Sequence, residues 1–466
     1  MKLLLVNPVD KADINISRVL VMSLPPLGLA CVAALTPRHW NIEVVDENIE
    51  PFSLRDADLV GLTAMTSNAP RAYEIAALCR AKGIKTAMGG IHASIMYDEA
   101  ARFVDAVVIG EAESVWASLL HDFENGALKR FYRGEHTSLE KLSPPRRDLY
   151  PAKYKIRNPV QTARGCPMDC EFCSVTTFNG GKYRQRPVVE VLDELQSIRS
   201  RLVYFVDDNV LGCGEAAEQR AIRLFRGMEE RGLNKRWACQ AGIDFASNPE
   251  VLLSAQKAGC AAVFIGFESL NEEVLHGMHK VRNLRVHAGN YRDVVKRIHD
   301  HGIAVVGAFT FGNDGDGKDV FPRTTEFLLD SKVDAQQLTV LTPLPGTRLY
   351  TRLLQEGRLL RTNYPGDWRH YDFTDVVFAP KRMSVDELKE GVAGVYRHTT
   401  SRATSLRRAF HSFLCTRNSY ATAISYLFNR GYGSICARKY EDWLRDRVPE
   451  SAGTAREQVV PKERPA

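Results

Sequence analysis

The sequence predicts an α/β protein with a doubly wound (Rossmann-like) N-terminal domain, a partial (β/α)6 barrel and a mostly helical C-terminal extension. The prediction depends on strand and helix patterns that alternate over residues 1–125 and again over residues 160–343. A segment rich in proline and charge, residues 126–159, separates the two series and predicts a linker. The alternation ends in an extension over residues 344–446, and the polar tail at 447–466 is expected to be disordered.

Composition and charge are those of an ordinary soluble globular protein. Of its 466 residues, 44% are apolar and 25% are charged, and the net charge of +6 is too diluted to indicate a nucleic-acid partner. No stretch approaches the roughly 20 apolar residues of a membrane span, and the first apolar run is too short for a signal-peptide core. The ten cysteines lack the paired spacing of a secreted disulfide protein. We therefore expect a cytoplasmic protein without a nucleic-acid partner.

The N-terminal domain is predicted from five short apolar runs with helical patterns between them. These runs are KLLLV (2–6), IEVVD (42–46), LVGLTA (59–64), KTAMGG (85–90) and AVVIGE (106–111). Buried parallel strands joined by helices form a doubly wound sheet, which binds ligands at the carboxyl ends of its strands. Those ends read NP, TAMTSN, GGIHAS and GEAES, and such small, glycine-rich ends suit close approach of the backbone to a large ligand.

The second domain is predicted from six further strand patterns, each followed by a helical or polar segment. The strands are VQTARG (160–165), RLVYFVDD (201–208), WACQAGI (237–243), AAVFIGFE (261–268), AVVGAFTFG (304–312) and AQQLTVLTP (335–343). A closed barrel of this kind needs eight such units, so six predict a partial barrel. Polar residues cluster after the strand ends, where barrel enzymes place their chemistry.

The first barrel strand is followed by three closely spaced cysteines, Cys166, Cys170 and Cys173. They could belong to a structural zinc site, lie at the surface by chance, or hold an iron–sulfur cluster with one iron left open. Structural zinc needs a fourth protein ligand, and residues 160–180 contain neither a further cysteine nor a histidine. A four-iron cluster held by three cysteines leaves one iron for a substrate. The spacing alone leaves these three interpretations open.

The cysteine loop resembles that of the radical S-adenosylmethionine (SAM) superfamily, because it follows the first strand of a six-unit partial barrel and carries Phe172 before the last cysteine. The preceding domain has PPLGL (25–29), GGIHAS (89–94) and VVIGEAE (107–113), and is similar to the cobalamin-binding domain of the cobalamin-dependent branch. The resemblance extends from residue 1 to about residue 400. It implies a cobalamin-binding domain followed by a radical SAM barrel, with a [4Fe-4S] cluster, SAM and cobalamin as cofactors.

The resemblance also implies roles for individual barrel residues, starting with the three cysteines as cluster ligands. The open iron would chelate the amino and carboxylate groups of SAM, and further contacts with SAM would come from Phe172, Asp207, Asp208, Asn209, Glu268 and Gly312. Phe172 would lie against the adenine, the Asp-Asp-Asn run would bind the amino group, Glu268 would accept from the ribose and Gly312 would leave room for the adenosyl group. The family usually has Gly-Gly-Glu at the amino-binding position, so this chain departs from it there. Taken singly, each residue also has an ordinary interpretation, as a helix cap, ion-pair partner, turn residue or core residue.

For the first domain, the resemblance implies that residues at the strand ends contact cobalamin. They are Asn7, Thr63, Met65, Thr66, Ser67, Gly89, Gly90, His92, Gly110 and Glu111. The pattern Asp-x-His-x-x-Gly, which supplies a cobalt-binding histidine in many cobalamin domains, is absent. We therefore expect cobalt without a protein histidine, with Thr63 to Ser67 facing the lower side of the corrin. His92 is predicted to be a packing or hydrogen-bonding residue rather than a cobalt ligand.

The function implied by the resemblance is methylation of an unactivated carbon through a 5′-deoxyadenosyl radical and methylcobalamin. The alternatives are a cobalamin-dependent cyclase or oxidoreductase without methyl transfer, and a first domain that has lost its cofactor and serves as an interaction module. The segment at 367–392 resembles the extension of family members that act on hopanoids, other lipids and tetrapyrroles. A lipid (hopanoid-like), a tetrapyrrole or another natural product is therefore expected as the substrate, with flavodoxin or ferredoxin as an external reductant.

A helical pattern at 402–415 combines three arginines with large apolar residues. The arginines are Arg402, Arg407 and Arg408, and the apolar residues are Leu406, Phe410, Phe413 and Leu414. A basic amphipathic helix of this kind lies on an anionic membrane surface, or packs on the barrel with a solvated basic face. The pattern predicts the helix and leaves both environments open, so peripheral membrane contact is one expectation.

Overall fold

The computed structural model describes residues 1–10, 24–151, 153–154, 158–286 and 290–445. Within them lie two parallel six-stranded sheets, one in each predicted domain, together with a helical C-terminal extension. The predicted fold class is thereby confirmed. The tail at 447–466, predicted to be disordered, lies outside the described residues.

The first sheet has the strand order β2-β1-β3-β4-β5-β6, and each neighbouring pair is parallel. Its strands are β1 (Lys2–Asn7), β2 (Asn41–Asp46), β3 (Leu59–Thr63), β4 (Lys85–Gly89), β5 (Ala106–Ile109) and β6 (Phe131–Arg133). Its helices are α1 (Leu27–Leu35), α2 (Ala69–Arg80), α3 (Ile91–Ile95), α4 (Tyr97–Ala100) and α5 (Trp116–Glu124). The strand order reverses between β1 and β3, which opens a crevice at their carboxyl ends where doubly wound sheets bind ligands.

The apolar runs form this sheet because both of its faces are covered by helices. Leu3, Leu4, Leu5 and Val6 of β1 are at most 2% exposed, and alternate residues belong to two separate cores on opposite sides of the sheet. A strand that is buried on both faces reads as a continuous apolar run, which explains why all five predicted strands are observed within a few residues of their predicted bounds.

The segment 126–159 was predicted to be a linker, but it contributes to the core of the first domain. Residues Phe131–Arg133 form β6, the parallel neighbour of β5, and Tyr132 is buried. Further along, Tyr150 and Tyr154 pack against Ala30 of α1. The sequence pattern did not indicate this because a strand of three residues is too short to show a periodicity.

The second sheet has the order β14-β13-β12-β11-β10-β7, again with parallel neighbours, and forms the expected partial barrel. Its strands are β7 (Pro159–Val160), β10 (Leu202–Phe205), β11 (Arg236–Ala241), β12 (Cys260–Glu268), β13 (Ala304–Phe311) and β14 (Ala335–Val340). The helices around it are α6 (Ser174–Asn179), α7 (Val188–Ser197), α8 (Glu215–Glu230), α9 (Pro249–Lys257), α10 (Glu272–Gly277), α11 (Val281–Val286), α12 (Tyr291–His299) and α13 (Val320–Asp330). The predicted first strand at 160–165 is divided, since β8 (Ala163–Arg164) leaves the sheet and pairs antiparallel with β9 (Arg184–Gln185).

The extension is helical, and it contacts both domains. Its helices are α14 (Arg348–Gln355), α15 (Val385–Thr399), α16 (Arg402–Thr416), α17 (Ser419–Phe428) and α18 (Ser434–Arg445). Between α14 and α15, the indole of Trp368 donates a hydrogen bond of 3.0 Å to Glu99 in the first domain. No helix among the described residues has both the length and the apolar character needed to cross a bilayer.

Candidate active site between the two sheets

The three cysteines lie on the loop between β8 and α6, at the carboxyl end of the barrel. Cys170 is buried, and Cys166 and Cys173 are partly buried. The loop begins at Gly165, which has a φ of +84°, and a side chain there would come within 2.1 Å of the carbonyl oxygen of Lys182. Residue 165 therefore has to be glycine for β8 and the cysteine loop to fold closely against the chain that follows.

The surroundings of the thiols combine low solvent access with a positive charge that is partly buried. Burial raises the pKa of all three thiols, to about 11 for Cys170, while the charge of Lys280 acts in the opposite direction on each. In the described part of the chain, no three His, Cys, Asp or Glu side chains lie close enough to share one metal ion. In an iron–sulfur cluster each cysteine binds a different iron, so the three thiols do not have to converge on one metal ion. Three thiols on one loop beside a cation are therefore a donor set that fits a four-iron cluster with one open iron.

Glu268 and Phe172, both predicted to contact SAM, are brought together by Lys280. The ammonium of Lys280 donates to the Glu268 carboxylate at 2.7 Å and lies 5.7 Å from the centre of the Phe172 ring. Burial disfavours the charge of Lys280, but the Glu268 carboxylate and the neighbouring thiols outweigh it and raise the pKa of this lysine. Glu268 also accepts from the hydroxyl of Thr310 at 3.2 Å.

The backbone of Glu268 is strained where β12 ends. Its φ is +64°, in the left-handed region that costs a residue other than glycine about 1–2 kcal/mol. A β-bulge between Gly266 and Glu268 accompanies this conformation. Strain of this kind persists where the surrounding structure holds a side chain in a required direction, and it is frequent at functional sites.

The Asp-Asp-Asn run was predicted to bind the amino group of SAM, and the structure separates its members. Asp207 is buried and accepts from the backbone N–H of Thr162 at 2.6 Å and from its hydroxyl at 2.5 Å, so it ties β10 to the first barrel strand. Asn209 is buried and accepts from the N–H of Leu211 at 3.1 Å. Only Asp208 lines the cavity between the two sheets. The side chains of Asp207 and Asn209 are thus engaged in the local fold, and their contact with SAM stays a prediction.

Gly312 was predicted to leave room for an adenosyl group, and the structure gives it another role. A side chain at this position would come within 2.8 Å of Leu388 on α15 and 3.2 Å of Phe378. The glycine, with a φ of +94°, therefore allows the extension to pack against the end of β13. The backbone N–H of Gly312 donates to Asp316 at 3.0 Å, which closes the turn.

A cavity of about 430 Å³ lies between the carboxyl ends of the two sheets, and a second cavity of about 900 Å³ opens beside Phe172. Of the predicted cobalamin contacts, the cavity between the sheets is lined by Thr63, Gly89, Gly90, Gly110 and Glu111. The barrel contributes Gln161, Arg164, Gly165 and Asp208 to the same lining. The start of the cysteine loop and the glycine-rich strand ends thus face one common space, whose volume is that of an ordinary ligand site.

The other predicted cobalamin contacts do not line this cavity. His92 is buried, and its Nε2 lies 3.2 Å from the hydroxyl of Tyr73 and 3.3 Å from the carboxylate of Glu99. Asn7 donates to Asp46 at 2.9 Å. The remaining three belong to the turn after β3, where Thr66 and Ser67 are buried and Met65 is 45% exposed. His92 and Asn7 are therefore engaged in hydrogen bonds within the domain.

Glu111 connects the first domain to the cysteine loop. Its carboxylate accepts from Arg184 on β9 at 3.0 Å and lies 3.3 Å from Arg164, while Arg164 also donates to Glu113 at 2.5 Å. Burial disfavours the charge of Glu111, but the two arginines outweigh it and lower the pKa of this carboxyl. Because Arg164 precedes Cys166 by two residues, this ion-pair group fixes the cysteine loop against the first sheet.

Sequence reasoning missed the partners that organise this site. Lys280, Arg164 and Arg184 lie in no recognisable motif, and their partners are far away along the chain: Glu111 and Arg184 are 73 residues apart. Local periodicity carries no information about such pairs. The one available signal was that two acidic residues, Glu111 and Glu113, follow the same strand end and need a counter-charge.

Comparison with known proteins provides independent evidence on both domains. Residues 160–328 match the family model described as "Radical SAM superfamily", and residues 16–120 match "B12 binding domain". The chain is 30% identical over 422 residues to the bacteriochlorophyllide d C-12(1)-methyltransferase of Chlorobaculum tepidum, which covers 87% of this chain and 89% of that protein. It is 29% identical to the hopanoid C-2 methylase of Rhodopseudomonas palustris over 72% of this chain and 66% of that protein.

Among solved structures, the chain is similar to the radical SAM methyltransferase TsrM of Kitasatospora setae with tryptophan substrate and a SAM analogue bound. The TM-score is 0.67, and the alignment covers 95% of this chain and 98% of that one. At 16% identity this likeness concerns the fold, including the arrangement of the two domains and the extension.

Proposed function

Because the chain belongs to the cobalamin-dependent radical SAM enzymes, we propose that it is a C-methyltransferase that methylates an unactivated carbon of a tetrapyrrole. The observation that supports the tetrapyrrole is the 30% identity to a bacteriochlorophyllide d methyltransferase, which extends over nearly the full length of both chains. The identity to a hopanoid methylase extends over less of both chains, so a polycyclic lipid is the second candidate substrate.

The cofactors of this family are a [4Fe-4S] cluster, SAM and cobalamin, and each has a place in the proposed site. When bound, the cluster supplies the electron that cleaves SAM, and cobalamin carries the methyl group. Cys166, Cys170 and Cys173 would hold the cluster. Thr63, Gly89, Gly90 and Gly110 would face cobalamin, and the absence of side chains at three of these positions would let the backbone approach it.

The side chains around Lys280 bind and orient SAM. Phe172 presents a ring to the adenine, and Asp208 faces the cavity as an acceptor for the amino group. Lys280 holds the Glu268 carboxylate in a fixed direction, so that its oxygens can accept hydrogen bonds from the ribose hydroxyls. The ion pairs of Glu111 and Glu113 then keep this group at a constant distance from the first sheet.

The position of the cavity supports a reaction that needs both cofactors. Gly165 and Asp208 of the barrel line the same space as Gly89 and Gly110 of the first domain. A substrate held there would lie between the two domains that are proposed to hold the cofactors. The electron comes from an external carrier, flavodoxin or ferredoxin, in the cytoplasm. Peripheral contact with a membrane surface through the helix Arg402–Thr416 is proposed in addition.

The experiment that tests this function is anaerobic turnover of the reconstituted enzyme with SAM that carries a deuterated methyl group. A bacteriochlorophyllide-type tetrapyrrole and a hopanoid are offered in separate reactions. We expect a deuterated methyl group in the tetrapyrrole product, accompanied by equal amounts of S-adenosylhomocysteine and 5′-deoxyadenosine. Labelled hopanoid instead would change the substrate class. Formation of 5′-deoxyadenosine without S-adenosylhomocysteine would indicate a cyclase or oxidoreductase and contradict methyl transfer.

A further inference from the structure

Helix α16 of the extension has its apolar side chains on the solvent side. Its large apolar residues are exposed, by 60% for Leu406, 61% for Phe410, 50% for Phe413 and 53% for Leu414. They are spaced by three, four or one residues and therefore share one face of the helix. The buried face carries Ser405, Arg408, Ala409, Ser412 and Thr416. A helix that packs on a soluble domain has the reverse arrangement, with the apolar stripe facing the core.

Helix α17 continues the same arrangement, and the two helices form a hairpin that we call the α16–α17 hairpin, residues 402–428. In α17, Ala421 and Ser425 are buried, while Leu427 is 63% exposed and Tyr420 and Tyr426 are exposed by 38% and 39%. The exposed residues of the two helices supply seven of the large apolar side chains that are exposed in the described part of the protein. Tyrosine, with an apolar ring and a polar hydroxyl, suits a boundary between an apolar and an aqueous layer.

The polar inner face is explained by what it contacts. Arg408 donates to the carbonyl oxygen of Leu328 at 2.8 Å and also contacts Gln336, and Ser425 donates to the carbonyl oxygen of Asp334 at 2.7 Å. Asn418 donates to the carbonyl oxygen of Gly302 at 2.9 Å. These partners precede or begin β13 and β14, at the amino end of the barrel. The inner face therefore satisfies backbone groups there, and packing among the described residues does not account for the apolar outer face.

The segment of the chain that contains the hairpin carries an excess of positive charge. Residues 391–440 contain no Asp or Glu, whereas they include seven arginines and Lys439. Of these, Arg402 and Arg417 are exposed at the two ends of α16, and Arg407 is exposed beside the apolar face. An exposed apolar face bordered by arginines is the pattern of a helix that lies in the headgroup region of an anionic bilayer.

We propose that the α16–α17 hairpin is a membrane-docking surface that binds the interface of a bilayer containing anionic lipids. The alternative occupant is a second copy of this chain. Antiparallel pairing of α16 with itself would bring Arg402 towards Arg417 of the other copy, so that like charges would face each other across an apolar contact. Anionic headgroups complement the same arginines. Charge therefore favours the lipid over a second copy.

The position of the hairpin in the fold determines how a bilayer contact would orient the enzyme. It covers the amino end of the barrel, and the cysteine loop and both cavities lie at the opposite, carboxyl end. The bilayer contact therefore tethers the enzyme with its cofactor site directed away from the lipid. The inference is independent of the proposed methyl transfer, because no residue of the hairpin lines either cavity.

The test is flotation of the full-length, cofactor-loaded protein with vesicles of phosphatidylcholine, alone or with about a third phosphatidylglycerol. We expect binding to the anionic vesicles that weakens in high salt. The double variant Phe410→Ser/Leu414→Ser should bind at least tenfold more weakly, because each exposed side chain loses its burial in lipid. The variant Arg402→Gln/Arg407→Gln should lose about fivefold per arginine removed.

The control is Leu78→Ser, which removes an apolar side chain of α2 that is 50% exposed, outside the hairpin, and should bind like the unaltered protein. Unchanged melting temperature and cobalamin content establish that the hairpin variants are folded. The proposal is overturned if the unaltered protein ignores anionic vesicles, or if the hairpin variants bind as well as Leu78→Ser. A dimer in solution that Phe410→Ser/Leu414→Ser dissociates, without vesicle binding, would assign the face to a second copy. Methyl transfer could still occur in each of these cases.

Discussion

The carboxyl ends of the two sheets use polar side chains differently. At the barrel end, Glu268 is held in a strained conformation by Lys280, beside the thiols and the ring of Phe172. At the end of the first sheet, His92 makes hydrogen bonds inside the domain, Glu111 makes ion pairs to the barrel, and Gly89, Gly90 and Gly110 line the cavity. A small charged ligand has to be held by individual side chains, whereas a large cofactor is held by backbone and shape. Side chains at the second kind of site are free for structural roles.

The largest effect is expected at the barrel end, from the loss of one cluster ligand. Changing Cys170 to Ala should abolish both the four-iron cluster and the cleavage of SAM, because the remaining two thiols hold a cluster too weakly. Iron content and the signal of the reduced cluster measure this directly. The matched control is Cys213→Ala, which removes an exposed cysteine outside the loop and should leave both unchanged. A full four-iron cluster in the Cys170 variant would contradict the assignment.

The next effect concerns SAM binding through Glu268. The change Glu268→Gln removes a charge-assisted hydrogen bond, which is worth about 1.5–3 kcal/mol, so the Kd for SAM should rise by roughly 10–150-fold. Equilibrium binding of SAM to the cluster-loaded protein measures it. S-adenosylhomocysteine and 5′-deoxyadenosine should decrease together, since one SAM site serves both. If S-adenosylhomocysteine alone persisted at full rate, SAM would need a second site. The control is Thr310→Val, which removes the hydroxyl that donates to the same carboxylate and pairs with Thr339 but leaves the carboxylate itself in place, so it should weaken SAM binding less.

Variants of two adjacent aspartates in the barrel should distinguish a side chain that contacts the ligand from one that stabilises the fold. Asp208→Asn should weaken SAM binding with little change in stability, because its side chain faces the cavity. Asp207→Asn should cost about 1–3 kcal/mol of stability, since its amide would point a donor at backbone donors, and should leave the cavity intact. Chemical denaturation and SAM titration of both variants check this. Equal losses of SAM affinity in the two variants would show that Asp207 reaches the ligand after all.

Asp207 also predicts a pH dependence. Burial raises the pKa of this carboxyl to about 6, above its value of about 3.9 in the unfolded chain. The native state then binds the proton more tightly than the unfolded state does, so this group adds stability as the pH falls from 7 to about 5. Asp207→Asn should lack that gain, which denaturation at both pH values measures.

The smallest effect tests whether Glu111 contacts cobalamin or positions the barrel. Glu111→Gln and Arg184→Gln each weaken the same ion-pair group, and Arg164 retains part of it, so each should cost about 1–3 kcal/mol of stability. If the carboxylate acts by positioning, both variants should lower the affinity for hydroxocobalamin to the same modest extent. If only Glu111→Gln lowered the affinity for hydroxocobalamin, Glu111 would be a cobalamin contact. The end of the first sheet would then also hold its ligand by a charged side chain, as the barrel end does.

Much of the architecture could be predicted because its signals are local. Strands that are buried on both faces produce apolar runs, and the alternation of strands with helices determines a parallel sheet, so eleven strand patterns were located to within a few residues, although the first one in the barrel is divided. The cysteine spacing is equally local, since one loop holds all three thiols. The strand at Phe131–Arg133 was missed for the complementary reason, because three residues are too few to carry a period.

The sequence by itself determined the two sheets, the cysteine loop and the existence of a helix at 402–415. Only the tertiary structure decided that Lys280 meets Glu268, that Asp208 rather than Asp207 faces the cavity, and that Leu388 fills the space beside Gly312. It also decided that α16 turns its apolar face outward. The physical reason is common to all four. Periodicity and spacing describe one segment at a time, whereas burial and ion pairing depend on which distant segment lies against it, as Glu99 and Trp368 do across 269 residues.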